Sequence, residues 1–252
     1  MNSIDNSVDD GGPWDVGMEK SPRVDFDNDK IVIKNFRNFR YQCDGSHEEK
    51  YETRTINVAD LETADYIVVP FAKQPDLAHT MMSFGTRDGQ RTVVSIEARR
   101  RLNQKFGIIK GIFGFFPLMY VIADERDAIG QRTELRGDDV YLYRSNATPE
   151  QVQAFFRCVM ERVEKLSHSR ETYNTITNNC LTNIRYHINQ IWPGRVPWNW
   201  RILINGHSDY LAYKLGLLES EQSFRSTQQR ASITAKAKGN LKREDFSALI
   251  RS

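Results

Sequence analysis

The sequence is short of several things. Its 252 residues include only three cysteines, Cys43, Cys158 and Cys180. So few, and an odd number, cannot build a disulfide framework. It has no closely spaced Cys/His pairs of the kind structural zinc uses, so neither a metal nor a cofactor is expected. It lacks a charge excess: 35 basic against 33 acidic residues leave +2, which argues against a nucleic-acid partner. It lacks a long uninterrupted apolar run. The most apolar stretch, Phe106 to Ala123, is broken by Lys110, several glycines and Pro117, and makes a poor membrane span. The start, MNSIDNSVDDGG, is acidic and polar, unlike a signal peptide. There is no internal repeat and no low-complexity block. The chain as given reads as soluble.

What is present suits one large domain. Hydrophobic residues are 39% and charged residues 27%, enough for a core without covalent staples. The two ends differ. Residues 1–30 carry eight acids and three bases, and residues 221–252 carry seven bases and three acids. The expected organisation is an acidic frayed tail at 1–13, a domain at 14–218, and a basic tail at 219–252, part helical. Ile31–Asn35, Thr53–Val58, Tyr66–Pro70, Leu118–Ala123 and Asp139–Tyr143 read as strands. Thr148-Pro149-Glu150-Gln151 has the form of a capping box. Val152, Phe155, Phe156, Val159, Met160, Val163 and Leu166 follow at helical spacing and predict an amphipathic helix. Cys158 lies beside that stripe and reads as a buried, inert thiol.

Residues 79–85 and 91–98 flank the turn signal Arg87-Asp88-Gly89. A two-residue turn would make paired numbers sum to 177, with His79 and Glu97 on opposite faces. A three-residue loop with Gly89 left-handed makes the sum 176 and sets His79 directly across from Glu97. The second register gathers Thr80, Met82, Phe84, Thr92, Val94, Ile96 and Ala98 on one apolar face. It leaves His79, Met81, Ser83, Val93, Ser95 and Glu97 on a mixed, polar one, and is preferred because the alternative spoils both faces. A carboxylate opposite the imidazole would fix its tautomer and favour its charged form. An ordinary surface His–Glu pair is the competing reading.

Cys180 precedes Leu181, Ile184, Ile188 and Ile191, which are spaced as a helix. Thr177 and Asn178 are cap candidates. Cys180 thus falls in the first turn, where free amides and the helix dipole favour a thiolate. A small buried hydrophobe is the competing reading. His187 lies seven residues along the same helix, about 10.5 Å away along its axis and beyond hydrogen-bond reach. His47, His168 and His207 show no obvious orienting acid. His79, with Glu97 across from it, is therefore the expected base for Cys180.

The segments IVIKNFRNFRY, AHTMMSFG, VVSIEARR, LMYVIADERD, DDVYLYR and YNTITNNCLTN occur in this order. They resemble the Lnb N-terminal periplasmic domain family of bacteria, from about Trp14 to about Leu218. The resemblance implies an α+β, circularly permuted papain-like fold of the NlpC type, an antiparallel sheet packed on helices. In such permuted enzymes a strand histidine precedes the cysteine, the cysteine follows asparagine (here Asn179-Cys180), and a tyrosine lies upstream (here Tyr173). The implied site is Cys180, His79 and Glu97, with Tyr173, Asn179 and Ser95 in support. The implied chemistry passes an acyl group from phospholipid through a cysteine thioester to the amine of a bacterial lipoprotein, on the periplasmic side of a membrane. Two departures stand out. Family members generally carry transmembrane helices before the domain, which suggests a trimmed domain or a soluble relative. The acidic, serine-containing stretch expected after Glu97 is replaced here by Arg99-Arg100-Arg101-Leu102-Asn103-Gln104-Lys105-Phe106.

The glycine-rich run Phe106–Phe116 suits neither a helix nor one strand. With Arg99 and other cations around it, it is a candidate for touching an acyl chain or a membrane surface through Ile112, Phe113, Phe115 and Phe116. Burial in the core is the alternative. Two other functions share the same residues: a thiol amidase or peptidase acting on cell-wall or isopeptide bonds, and a non-catalytic lipid- or partner-binding module.

Overall fold

The computed structural model describes residues 13–252 except positions 43, 105, 106, 108, 109, 112 and 222. The acidic tail expected at 1–13 and Ile112 therefore fall outside the described residues, Pro13 apart.

Alternating apolar residues give a mixed α/β fold around a mostly antiparallel sheet. Its strands are β1 (Arg23–Asp27), β2 (Lys30–Arg37), β5 (Tyr51–Asn57), β6 (Leu61–Phe71), β7 (Gln74–Thr86), β8 (Arg91–Ala98), β9 (Phe116–Asp124), β10 (Tyr141–Arg144) and β11 (Thr172–Tyr173). The order is β1-β2-β9-β8-β7-β6-β10, with β5 on β2 and β11 on β9. Strands β3 (Arg40–Tyr41) and β4 (His47–Glu48) form a separate pair. A single parallel register, Arg37 beside Ala123, joins β2 to β9.

The β7–β8 hairpin adopts the register with sum 176: Met81 faces Ser95, Ser83 faces Val93 and Gly85 faces Arg91. The loop closes through Gly89 N–H donating to the Thr86 carbonyl, and Gly89 has φ +85°, the left-handed conformation that favours glycine.

The hairpin's apolar face packs under helix α2 (Pro149–Ser167) and helix α3 (Cys180–Ile191). Helix α2 starts with the capping box of Thr148 and Gln151, as its sequence predicts. Phe84 meets Phe155 and Phe156 edge-on, ring centres 5.4 and 5.1 Å apart. The opposite face, mixed in its sequence, is also buried at Met81 and Val93. The segment expected as a basic, part-helical tail packs against it from 224 onward. Helices α6 (Phe224–Ala231), α7 (Thr234–Ala237) and α8 (Phe246–Leu249) fold there. Ile233, Leu241, Phe246 and Ile250 join Met81, Val93 and Ile129 in one core. Arg251 sits between two buried carboxylates, 2.7 Å from Asp65 and 2.5 Å from Glu125. Helix α1 (Glu125–Gly130), which runs directly into a π-helical turn over Gln131–Arg136, packs Ala128 and Ile129 into that core. Helices α4 (Trp200–Leu203) and α5 (Ser208–Lys214), with a 3₁₀ turn (Asn205–His207) between them, pack Ile202 and Leu211 into the core on the other face.

Candidate functional site

The hairpin register brings His79 and Glu97 together. His79 Nε2 lies 3.0 Å from Glu97 Oε1 and 2.7 Å from Ser95 Oγ. Ser95 Oγ donates to Glu97 Oε1 at 2.7 Å, so Nε2 is the donor toward Ser95. Nδ1 takes no part in these contacts, and His79 and Cys180 each shift the other's ionisation. All three groups are withdrawn from solvent; Cys180 is 2% exposed.

The electrostatics follow from this arrangement. Burial would push the Cys180 thiol up, but the hydrogen bond and charge of His79 bring it below its ordinary value. Burial would lower His79, but Glu97 and Cys180 together leave the imidazole raised. Burial opposes ionisation of Glu97 too, yet His79 and Arg132 hold its carboxyl well below the usual range. The set can therefore hold a thiolate–imidazolium pair backed by a carboxylate.

Cys180 opens helix α3, and the cap is Asn179, one residue beyond the expected Asn178. The Asn179 side chain accepts from Thr182 N–H at 2.9 Å and donates to the Thr175 carbonyl at 2.6 Å. Its side chain is thus occupied in capping, and it supports the site by fixing where the helix begins. Tyr173 is buried on β11 beside Phe116 of β9. Burial raises its hydroxyl, followed by the charges of Cys180 and Glu97.

Two residues that sequence reasoning missed complete the surroundings. Asn205 accepts from Ala78 N–H at 2.9 Å and donates to the Ala78 carbonyl at 2.6 Å. Its amide nitrogen also lies 3.7 Å from Cys180 Sγ. Gly206 permits this approach: a Cβ there would lie 2.2 Å from the Pro75 carbonyl oxygen. The dipeptide Asn205-Gly206 was the available signal. Arg132, on the π turn and almost wholly buried, lies 3.4 Å from Glu97 Oε1 and 3.9 Å from Asp138. π turns often occur at functional positions.

The other candidates separate. Phe113 and Phe115 are 73% and 65% exposed. Phe116 is corrected: it begins β9 and is fully buried in the core, so it offers nothing to a membrane. The Arg99 guanidinium donates to the Met18 and Glu19 carbonyls and lies over the Trp14 ring, so it is engaged by those three residues. The expectation that other histidines lack acids is also corrected. His47 meets Glu49 at 3.5 Å, His168 meets Glu164 at 3.2 Å and His207 meets Asp76 at 2.9 Å. His187 is lowered to about 3 by burial and by Arg162. It bonds Tyr120 at 3.0 Å and Cys158 at 3.3 Å. Cys158 is half-buried, and burial raises its thiol.

An apolar groove of about 140 Å³ runs beside α3. Leu181, Ile184, Ile188 and Ile191 line one wall, with Tyr66, Leu211 and Leu215 across from them. From Leu181 to Ile191 the helix advances about 15 Å. Cys180 itself does not line the groove; its helix neighbour Leu181 does, as does Tyr66, which is bonded to Ser208 at 2.7 Å.

A family model described as the Lnb N-terminal periplasmic domain matches residues 47–206. No curated protein and no solved structure matches the chain. Among the described residues, no helix is long and apolar enough to cross a membrane.

Proposed function

The chain belongs to the Lnb N-terminal periplasmic domain family, and on that footing we propose that it is a periplasmic thiol acyltransferase with a permuted papain-like fold. The observation that carries this reading is the apolar groove along the helix that Cys180 opens, lined from Leu181 onward. A peptidase needs a polar, extended cleft for its substrate backbone. A groove walled by leucine and isoleucine instead suits an acyl chain.

Cys180 attacks an ester carbonyl as the thiolate. A carbon–sulfur bond forms, the ester carbon–oxygen bond breaks, and His79 gives its proton to the departing alcohol. An amine then attacks the thioester. A carbon–nitrogen bond forms, the thiolate is released, and His79 takes the amine's proton. Glu97 and Ser95 hold the imidazole; Arg132 holds Glu97. The Cys180 N–H, one of the first-turn amides a helix leaves without an internal acceptor, faces the developing oxyanion, helped by Tyr173 or Asn205. The donor is a phospholipid and the acceptor the N-terminal amine of a lipoprotein, as the family resemblance suggests.

The test is to incubate wild type and Cys180→Ala with phospholipid vesicles and a lipidated peptide bearing a free N-terminus. Amide-linked acyl peptide formed only by wild type is expected. Free fatty acid without amide product would make the protein a hydrolase. Peptide-bond cleavage without acyl transfer would favour the amidase reading.

A further inference from the structure

Residues 172–208, which include Cys180, contain no aspartate or glutamate, although the whole chain has 33 acids in 252 residues. The stretch holds Arg185, Arg195 and Arg201 and three of the four tryptophans. Each guanidinium lies over an indole: Arg185 over Trp198 at 4.9 Å, Arg195 over Trp192 at 4.7 Å and Arg201 over Trp200 at 4.3 Å. Among the described residues none of these three arginines meets a carboxylate. Trp192, Trp198 and Trp200 are all exposed, as are Leu203 and Ile204.

We infer that this face, from the end of α3 through α4, docks on an anionic phospholipid surface. An indole with a guanidinium on its face is apolar in body and cationic at its tip. Such groups settle at the level of lipid head groups, where arginine meets phosphate and the ring meets the first methylenes. The stretch itself carries no acid to repel an anionic surface, and Asp76, which meets it at His207, is held in an ion pair. Leu203 and Ile204 favour lipid over a soluble polyanion, because aliphatic side chains give a polyanion neither a stacking plane nor a hydrogen bond. The face adjoins the site at both ends. Arg185, Trp192 and Arg195 line the outer part of the groove, and Asn205, next to Ile204, touches Cys180. Docking would therefore open the groove toward lipid.

The inference does not depend on the thiol chemistry, so its test uses Cys180→Ala protein. Binding is followed by sedimentation and tryptophan fluorescence, with vesicles of phosphatidylcholine alone or mixed equally with phosphatidylglycerol. Expected are binding and a blue shift with the mixed vesicles only, weakened by salt. At least a tenfold loss is expected in the added triple variant Trp198→Ser/Trp200→Ser/Arg201→Gln, with circular dichroism confirming its fold. Arg201→Gln alone, should the triple variant not fold, is expected to lose severalfold. No binding to anionic vesicles, equal binding by a folded variant, or a loss seen only on changing Phe113 and Phe115 would overturn the inference. So would an equal blue shift with soluble polyphosphate.

Discussion

Asn205 ties itself to Ala78 by a reciprocal pair of hydrogen bonds while its amide nitrogen lies 3.7 Å from the Cys180 sulfur. One side chain therefore fixes the end of the histidine strand relative to the start of the cysteine helix. Asn205→Ala leaves the Ala78 amide and carbonyl without these partners, at a cost of about 2 kcal/mol. It should also lower the acyl-transfer rate by more than tenfold while Cys180 remains chemically intact. Gly206→Ala should do the same through the clash with Pro75. Urea unfolding and transfer assays check both, and an unchanged rate in a folded Asn205→Ala protein would remove Asn205 from the site.

Arg132 acts on His79 through charge, lowering the imidazole's pKa. Arg132→Met should therefore raise it. The alkaline limit of the thiolate–imidazolium window moves up, read as the pH profile of Cys180 reacting with a small methanethiosulfonate. A purely structural role would change amplitude or stability and leave the profile in place.

The same groups give a pH dependence to stability. Glu97 is depressed in the fold, so its contribution is present above its unfolded value near 4.5 and fades as pH falls through the folded value. His79 is raised, so its contribution is complete below its unfolded value near 6.5 and fades as pH rises through the folded value. The Glu97→Gln penalty in melting temperature should be largest between those two values and smaller on either side.

The groove should set acyl-chain length. Ile188 lies on its wall, about 12 Å along α3 from Cys180. Ile188→Trp should cut transfer from a long-chain ester at least tenfold and leave an acetyl ester nearly unaffected. Equal losses on both would place the chain elsewhere.

The C-terminal segment should be indispensable to the fold. Arg251 neutralises Asp65 and Glu125, both buried. Arg251→Met leaves Glu125 without its cation, while Asp65 keeps Arg144 at 2.6 Å, and should cost about 3–5 kcal/mol. Equilibrium denaturation measures it.

What could be read from the chain alone was what local pattern encodes. The 176 register was legible because a one-residue slip would have mixed apolar and polar faces around His79 and Glu97. Helix α2 announced itself by cap and period. The start of α3 was legible to within a residue, because Asn178 and Asn179 are equally good caps and only the fold distinguishes them. The C-terminal segment hid itself: Ile233, Leu241 and Phe246 follow no sustained helical or strand period, and only Phe246 and Ile250 share a helical turn. Asn205 and Arg132 were invisible for another reason. They join the site across 127 and 35 residues of sequence, through contacts that no local spacing specifies. Phe116 looked like part of a greasy loop, because nothing nearby marks where β9 begins.

The most direct measurement is the intact mass of the protein after brief incubation with phospholipid vesicles and no amine acceptor. Wild type should gain the mass of one fatty acid less water, removable by neutral hydroxylamine as a thioester is, and Cys180→Ala should gain nothing. An adduct retained in Cys180→Ala, or none on wild type under conditions where acyl transfer is observed, would contradict a Cys180 thioester.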